Sequence, residues 1–209
     1  MADAAVESRR TPAQVWREMS RGNERFVAGE PQHPRQDVER RTELAGSQAP
    51  HAALFGCSDS RLAAEIIFDK GLGDLFVVRN AGQVISDSVI ASLEYAVAVL
   101  DVPLIIVLAH DACGAVQAAI DLDSAESAQL PPHIAGHIAG IRPAVRLAAT
   151  RDPEDVGRAH LERTVRALVE RSELISDAIA AGTLGVVGAN YRLIEGHVVP
   201  AVALGALES

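Results

Sequence analysis

The segment "PLIIVLAHDACG", residues 103 to 114, opens with seven residues free of polar side chains and passes directly into a histidine, an aspartate and a cysteine. A strand that is apolar at every position is covered on both faces, as in a parallel sheet layered between helices. An antiparallel strand with one wet face would alternate instead. Even with Val102 included, the run is far too short to cross a bilayer. It is a central strand whose carboxyl end carries chemistry.

The neighbouring segments fit that frame. "HAALFG" (51–56) and "DLFVV" (74–78) are β-rich runs, separated by a short helical stretch, "RLAAEIIFDKG", closed by Gly71. "SDSVIASLEYAVAVL" (86–100) is a helix with Ser86 as its cap, and another helix begins near Cys113. Residues 121–132 are expected to be a loop, 132–150 and 153–181 helical, and "TLGVVGANY" (183–191) a fourth strand. "RLIEGHVVPAV" is a hairpin on Glu195-Gly196, and Pro200 marks its second arm as an edge strand. The expected fold is α/β: a mostly parallel central sheet of about four strands plus an antiparallel edge strand, flanked by helices.

Ahead of this lies an N-terminal helical arm, residues 1–46. Thr11 caps its helix, Pro12 suits the first turn, and Gln14 completes a capping box. Val15, Trp16, Met19 and Phe26 form an apolar stripe, which Gly29 and Pro31 end. The polar stretch 30–46 sets this helix apart, so it is expected to pack on another subunit. With no repeat and no internal boundary, residues 1–209 form one domain.

Composition narrows the function. A chain that is 48% hydrophobic and 22% charged is an ordinary globular protein, and with only 3% aromatic residues its core must be aliphatic. A net charge of -9 without a basic run excludes nucleic acid as a partner. The N-terminus lacks a secretory h-region, so a cytoplasmic location is expected. Two cysteines in a reducing compartment serve metal, catalysis or packing rather than a structural disulfide.

In open parallel sheets, polar chemistry gathers at the carboxyl ends of the strands. Three ends here are unusual: Cys57, Asp59 and Arg61 after the first; Arg79, Asn80 and Gly82 after the second; His110 and Cys113 after the third. A lone cysteine or histidine at such a place is commonly a packing residue. Cys57, His110 and Cys113 together are three donors of the type zinc prefers, and three protein ligands leave one position for water. Two weaker motifs are set aside. "HIAGH" (133–137) lacks a metalloprotease glutamate, and "GLGDLF" lacks the third glycine of a dinucleotide loop.

"CSDSR" (57–61) followed by "HDACG" (110–114) resembles the β-class carbonic anhydrases, as do "GNERF" (22–26), "EIIFDKGLGDLFVVRNAG" (65–82) and "SLEYAV" (92–97). The resemblance weakens only between about 121 and 165. It implies one zinc ion held by Cys57, His110 and Cys113, with water or hydroxide as fourth ligand. The implied reaction is reversible hydration of carbon dioxide to bicarbonate and a proton, by attack of zinc-bound hydroxide.

The resemblance also pairs Asp59 with Arg61 beside the metal. A carboxylate so placed could itself ligate zinc, and a forked guanidinium can hold it off. Asp59 then accepts a hydrogen bond from the hydroxide. Gln48, Phe76, Tyr95 and Gly114 match substrate-pocket positions, some of which come from a partner chain in relatives. A homodimer or dimer-based tetramer is therefore implied. His33, His51 and Glu65 are candidate proton carriers. A second bicarbonate site in some members uses a tryptophan, an arginine and a tyrosine; Arg79 and Tyr191 match, but Leu54 replaces the tryptophan. Carbonyl sulfide hydrolysis and a structural zinc site, with Asp59 as fourth ligand, are the alternatives.

Overall fold

The computed structural model describes residues 10–123 and 130–207; residues 1–9, 208–209 and 124–129, half of the loop expected at 121–132, lie outside them. The chain runs α1 (Pro12–Ala28), α2 (Val38–Glu43), β1 (Ala52–Cys57), α3 (Ala64–Ile67), β2 (Leu75–Asn80), α4 (Asp87–Ala98) and β3 (Leu104–His110). It continues as α5 (Gly114–Leu122), α6 (Pro132–Ile138), α7 (Arg142–Leu147), α8 (Pro153–Arg171), α9 (Glu173–Ala180), β4 (Gly185–Tyr191) and β5 (Val198–Leu204). Among the described residues, no helix is long and apolar enough to cross a membrane.

The five strands form one sheet in the order β2-β1-β3-β4-β5. The first four are parallel, and β5 runs antiparallel along β4 at the edge, with a bulge between Gly188 and Ala189. This is the expected architecture, down to the hairpin and the edge position of Pro200. Side chains alternate between the two faces along β3, and along β1 as far as Phe55. Leu54, Ile106 and Leu108 enter one core layer beneath α1, α3, α5 and α7. Phe55, Ile105 and Val107 enter the other, beneath α4, α8 and α9. Both faces of β3 are thus dry, which explains its unbroken apolar run.

Helix α1 starts as expected, with a reciprocal capping box between Thr11 and Gln14. It does not stand apart, however. Val15 and Met19 are buried in the chain's own core. Asn23, also buried, donates to the carbonyls of Ile67 (3.2 Å) and Gly196 (2.8 Å) and accepts from the Val198 amide at 2.9 Å. Gly22 is required by the approach: a Cβ there would sit 1.9 Å from the Phe68 carbonyl oxygen.

The polar stretch after α1 is pinned by two buried carboxylates. Asp69 accepts from the amides of Gln32 and His33 and pairs with Arg25 at 2.6 Å. Asp74 takes a forked contact from Arg35 and the Gly71 amide at 2.9 Å. The expected helix up to Gly71 is accordingly cut to the single turn of α3. The chain reverses at Asp69, which has φ 47°, so that its carboxylate can face the arm. The long helix expected over 153–181 divides at Ser172, whose hydroxyl accepts from the Ile175 amide and donates to Glu94 at 2.6 Å.

Candidate metal centre and active site

From β1 the chain passes to β2 on one side, then crosses to β3 on the other. The carboxyl ends of β1 and β3 therefore form the topological switch point, where the loops diverge and leave a crevice. Cys57 is the last residue of β1 and His110 the last of β3; Cys113 immediately precedes α5. The segment between the last two is tight, with Ala112 in the left-handed region at φ 50°. That conformation costs an alanine about 1 kcal/mol, and it brings Cys113 back toward the strand end.

The ligand atoms of Cys57, His110 and Cys113 lie within 4.8 Å of one another, and all three residues are buried. His110 Nδ1 meets the Asp111 carbonyl at 2.7 Å; a carbonyl only accepts, so Nδ1 carries the proton and Nε2 the lone pair. That Nε2 is buried without a hydrogen-bond partner. A satisfied packing histidine would have one. The Gly82 amide donates to Cys57 Sγ at 3.2 Å. Hydrogen bonding from the Cys113 thiol, with the Gly82 and Asp59 amides adding to it, overcomes burial and pushes the Cys57 thiol down. The same contact, together with burial, pushes Cys113 up, while the Ala115 and Val116 amides in the first turn of α5 oppose this. Two buried sulfurs beside an open imidazole lone pair make a soft N/S donor set suited to a divalent metal.

Asp59 and Arg61 are brought together as expected. Arg61 Nε donates to Asp59 Oδ1 at 2.9 Å and Nη2 to Oδ2 at 2.7 Å, and the Arg61 amide adds a bond to Oδ1 at 3.0 Å. This fork holds the Asp59 carboxyl well below the usual carboxylate range. Asp59 Oδ2 remains 3.9 Å from His110 Nε2, at the edge of the cluster. Arg79 fixes the backbone underneath, donating to the carbonyls of Cys57 (2.9 Å) and Asp59 (2.6 Å).

The remaining pocket positions do not converge within one chain. Gln48 is exposed in the segment ahead of β1, at the strand end opposite Cys57; the strand alone spans roughly 16 Å. Phe76 pairs in register with Ala53, also toward that end, and stacks at 6.1 Å on Tyr95, which is 46% exposed. Gly114 opens α5 beside Cys113 with open space around its Cα. Of the candidate proton carriers, His51 lies at the amino end of β1, His33 beside Asp69, and Glu65 exposed in α3. Leu54 is core, and Tyr191 is buried at the end of β4.

Sequence reasoning missed the backing of the Gly82 turn. His137, from the motif set aside, and the buried His160 of α8 meet the carbonyls of Ala81 and Gly82, each at 2.7 Å. Gly82 has φ 76°, and a Cβ there would strike Ala115 and Ile141 at 2.7 and 2.8 Å. The glycine itself was visible after the second strand; neither histidine carries a spacing or periodic signal that could have found it.

Comparison with known proteins agrees with this geometry. The family model described as carbonic anhydrase matches residues 52–198. Carbonic anhydrase 2 of Mycobacterium tuberculosis (strain H37Rv) is 49% identical over 193 residues, covering 90% of this chain and 92% of that one. The carbonic anhydrase of Mycolicibacterium smegmatis is 46% identical over 191 residues, with the same coverage of 90% and 92%. Among solved structures, a tetrameric β-carbonic anhydrase of the fungus Sordaria macrospora superposes with a TM-score of 0.70 at 25% identity, over 79% of this chain and 87% of its own. Sequence and fold lead to the same place: the chain belongs to the β-class carbonic anhydrases and is a carbonate dehydratase.

Proposed function

We propose that Cys57, His110 and Cys113 hold one zinc ion, and that carbon dioxide is hydrated beside it with Asp59 and Arg61 as the working pair. The observation that carries this reading is the buried, unpartnered Nε2 of His110 facing two sulfurs. Zinc, when bound, would supply a Lewis acid that acidifies a water molecule into a nucleophile near neutral pH.

The chain's own residues do the rest. Arg61 occupies both oxygens of Asp59 and so keeps a hard anionic donor from turning onto the metal. The lone pairs left on Asp59 accept a hydrogen bond from the nucleophile and orient it. Because the fork holds Asp59 ionised, it acts as an acceptor across the working pH range and does not take the proton away. The Gly82 amide steadies the Cys57 thiolate, and the Gly114 amide, at the start of α5, is available to substrate oxygen.

Gln48, Phe76 and Tyr95 are read as serving a pocket shared between subunits. Their separation from Cys57 along the strands and the exposure of Gln48 and Tyr95 support this. The tetrameric fungal relative supports self-association, here as a homodimer or dimer-based tetramer, with the N-terminal arm also touching the partner. Both cysteines are free thiols, which fits a cytoplasmic setting.

The test is stopped-flow hydration of carbon dioxide against pH, with zinc measured on the same sample. One zinc per chain and activity rising through neutral pH are expected. Stoichiometric zinc with no activity up to about pH 9 would overturn the reading.

A further inference from the structure

We propose that His137 is a positioning residue for Cys57, acting through the single peptide group that joins Ala81 to Gly82. This rests on the reading of Cys57 as a metal ligand. The carbonyl of that peptide, on Ala81, accepts from His137 Nε2 at 2.7 Å. The amide of the same peptide, on Gly82, donates to Cys57 Sγ at 3.2 Å. A carbonyl oxygen has no proton to give, so His137 is the donor, and its Nε2 bears hydrogen.

The chain of bonds therefore runs in one direction: imidazole N–H to carbonyl, through the amide, N–H to sulfur. Hydrogen bonds linked through a conjugated group polarise one another, by about 10–30% per bond. Withdrawing charge at the Ala81 oxygen makes the Gly82 N–H a better donor to the thiolate. Metal-bound thiolates are tuned by such donors, and outer partners of ligands commonly matter about 10- to 100-fold in metal affinity.

The surroundings show why this peptide holds its aim. His160, buried in α8, fixes the next carbonyl, that of Gly82, at 2.7 Å. Asn80 closes the turn from the other side, with its side chain bonded to both the amide and the carbonyl of Val84 at 2.8 Å. With Ala115 and Ile141 packed against the Gly82 Cα, the peptide has little freedom to rotate.

Cobalt(II) substituted for zinc gives a readout independent of turnover. Its thiolate-to-metal charge-transfer absorption reports the energy of the sulfur lone pairs, and chelator competition gives the metal dissociation constant. The proteins compared are the wild type, His137→Ala, His137→Gln and His133→Ala. Loss of the donor in His137→Ala is expected to move the band to longer wavelength and weaken binding about 10-fold. His137→Gln, whose amide N–H can reach the same carbonyl, should recover at least half of both effects. His133, exposed one turn earlier on α6, should have no effect when replaced.

An unmoved band with affinity within about twofold in His137→Ala overturns the proposal. So does a His137→Gln protein no better than His137→Ala, or an equal shift in His133→Ala, which would mean general loosening of α6. A wild type that takes up cobalt with no thiolate band overturns the metal reading itself, and this proposal with it.

Discussion

Arg61 holds both oxygens of Asp59, at 2.9 and 2.7 Å, and so keeps the carboxylate facing away while leaving Oδ2 only 3.9 Å from His110 Nε2. Arg79 binds the Asp59 carbonyl, so the backbone is fixed and rotation of one side chain separates an acceptor at the rim from a ligand in the cluster. The two roles exclude each other. On the proposed reading, Arg61 decides between them.

Replacing Arg61 by Ala should therefore release Asp59 onto the metal. Hydration activity near neutral pH is expected to fall by about 100-fold or more, with zinc content unchanged. Arg61→Lys should fall between, since an ammonium cannot fork onto both oxygens. Stopped-flow rates alongside metal analysis decide it; an Arg61→Ala protein as active as the parent would remove any such gate.

The docking of α1 on its own chain can be tested at Gly22. A methyl group there meets the Phe68 carbonyl oxygen at 1.9 Å, and that oxygen is backbone, so the helix itself must back away. Gly22→Ala should lose about 2–3 kcal/mol, read as a lower urea midpoint. An unchanged midpoint would mean that α1 is held chiefly elsewhere.

What could be read from the sequence follows the kind of contact involved. The unbroken apolar run of β3 reveals a strand covered on both faces, and its end marks His110, because side-chain periodicity is written directly into the residues. Cys57 and Cys113 are legible because the chain has only two cysteines, one ending β1 and the other lying three residues beyond the end of β3. Contacts from a side chain to a distant backbone carbonyl leave no such trace. His137 and His160 reach back 56 and 78 residues to Ala81 and Gly82, and nothing in their spacing announces it. The early end of α3 escaped for the same reason: Asp69 answers to the amides of Gln32 and His33, not to its own helix.

Asp74 gives a pH prediction. Its side chain is fully buried; burial pushes its carboxyl up, but the Arg35 fork and the Gly71 amide outweigh this and hold it below its ordinary value. A carboxylate depressed in the folded state stabilises fully above the unfolded value of about 3.9 and loses that contribution as pH falls through the lower folded value. Asp74→Asn should cost about 2–3 kcal/mol at neutral pH, less than a fully buried pair because Arg35 is 40% exposed. The gap between parent and variant should then narrow as pH drops below about 4. Urea midpoints from pH 7 to 3 measure this, and a gap that stays constant would contradict the charge-based account.

Metal removal should separate binding from mere packing of the buried thiols. A ligand bound only by the folded state adds about 4 kcal/mol at a thousandfold excess over its dissociation constant. For a chain of this length that is on the order of 10 °C in Tm. Chelation of the zinc form should lower Tm by that amount and abolish activity, and one equivalent of zinc should restore both. Cys113→Ser keeps the size of the side chain but replaces the soft donor, so its Tm should be the same with and without zinc. If chelation left the parent's Tm untouched, Cys57, His110 and Cys113 would be a packed cluster whose histidine lacks a partner for some other reason.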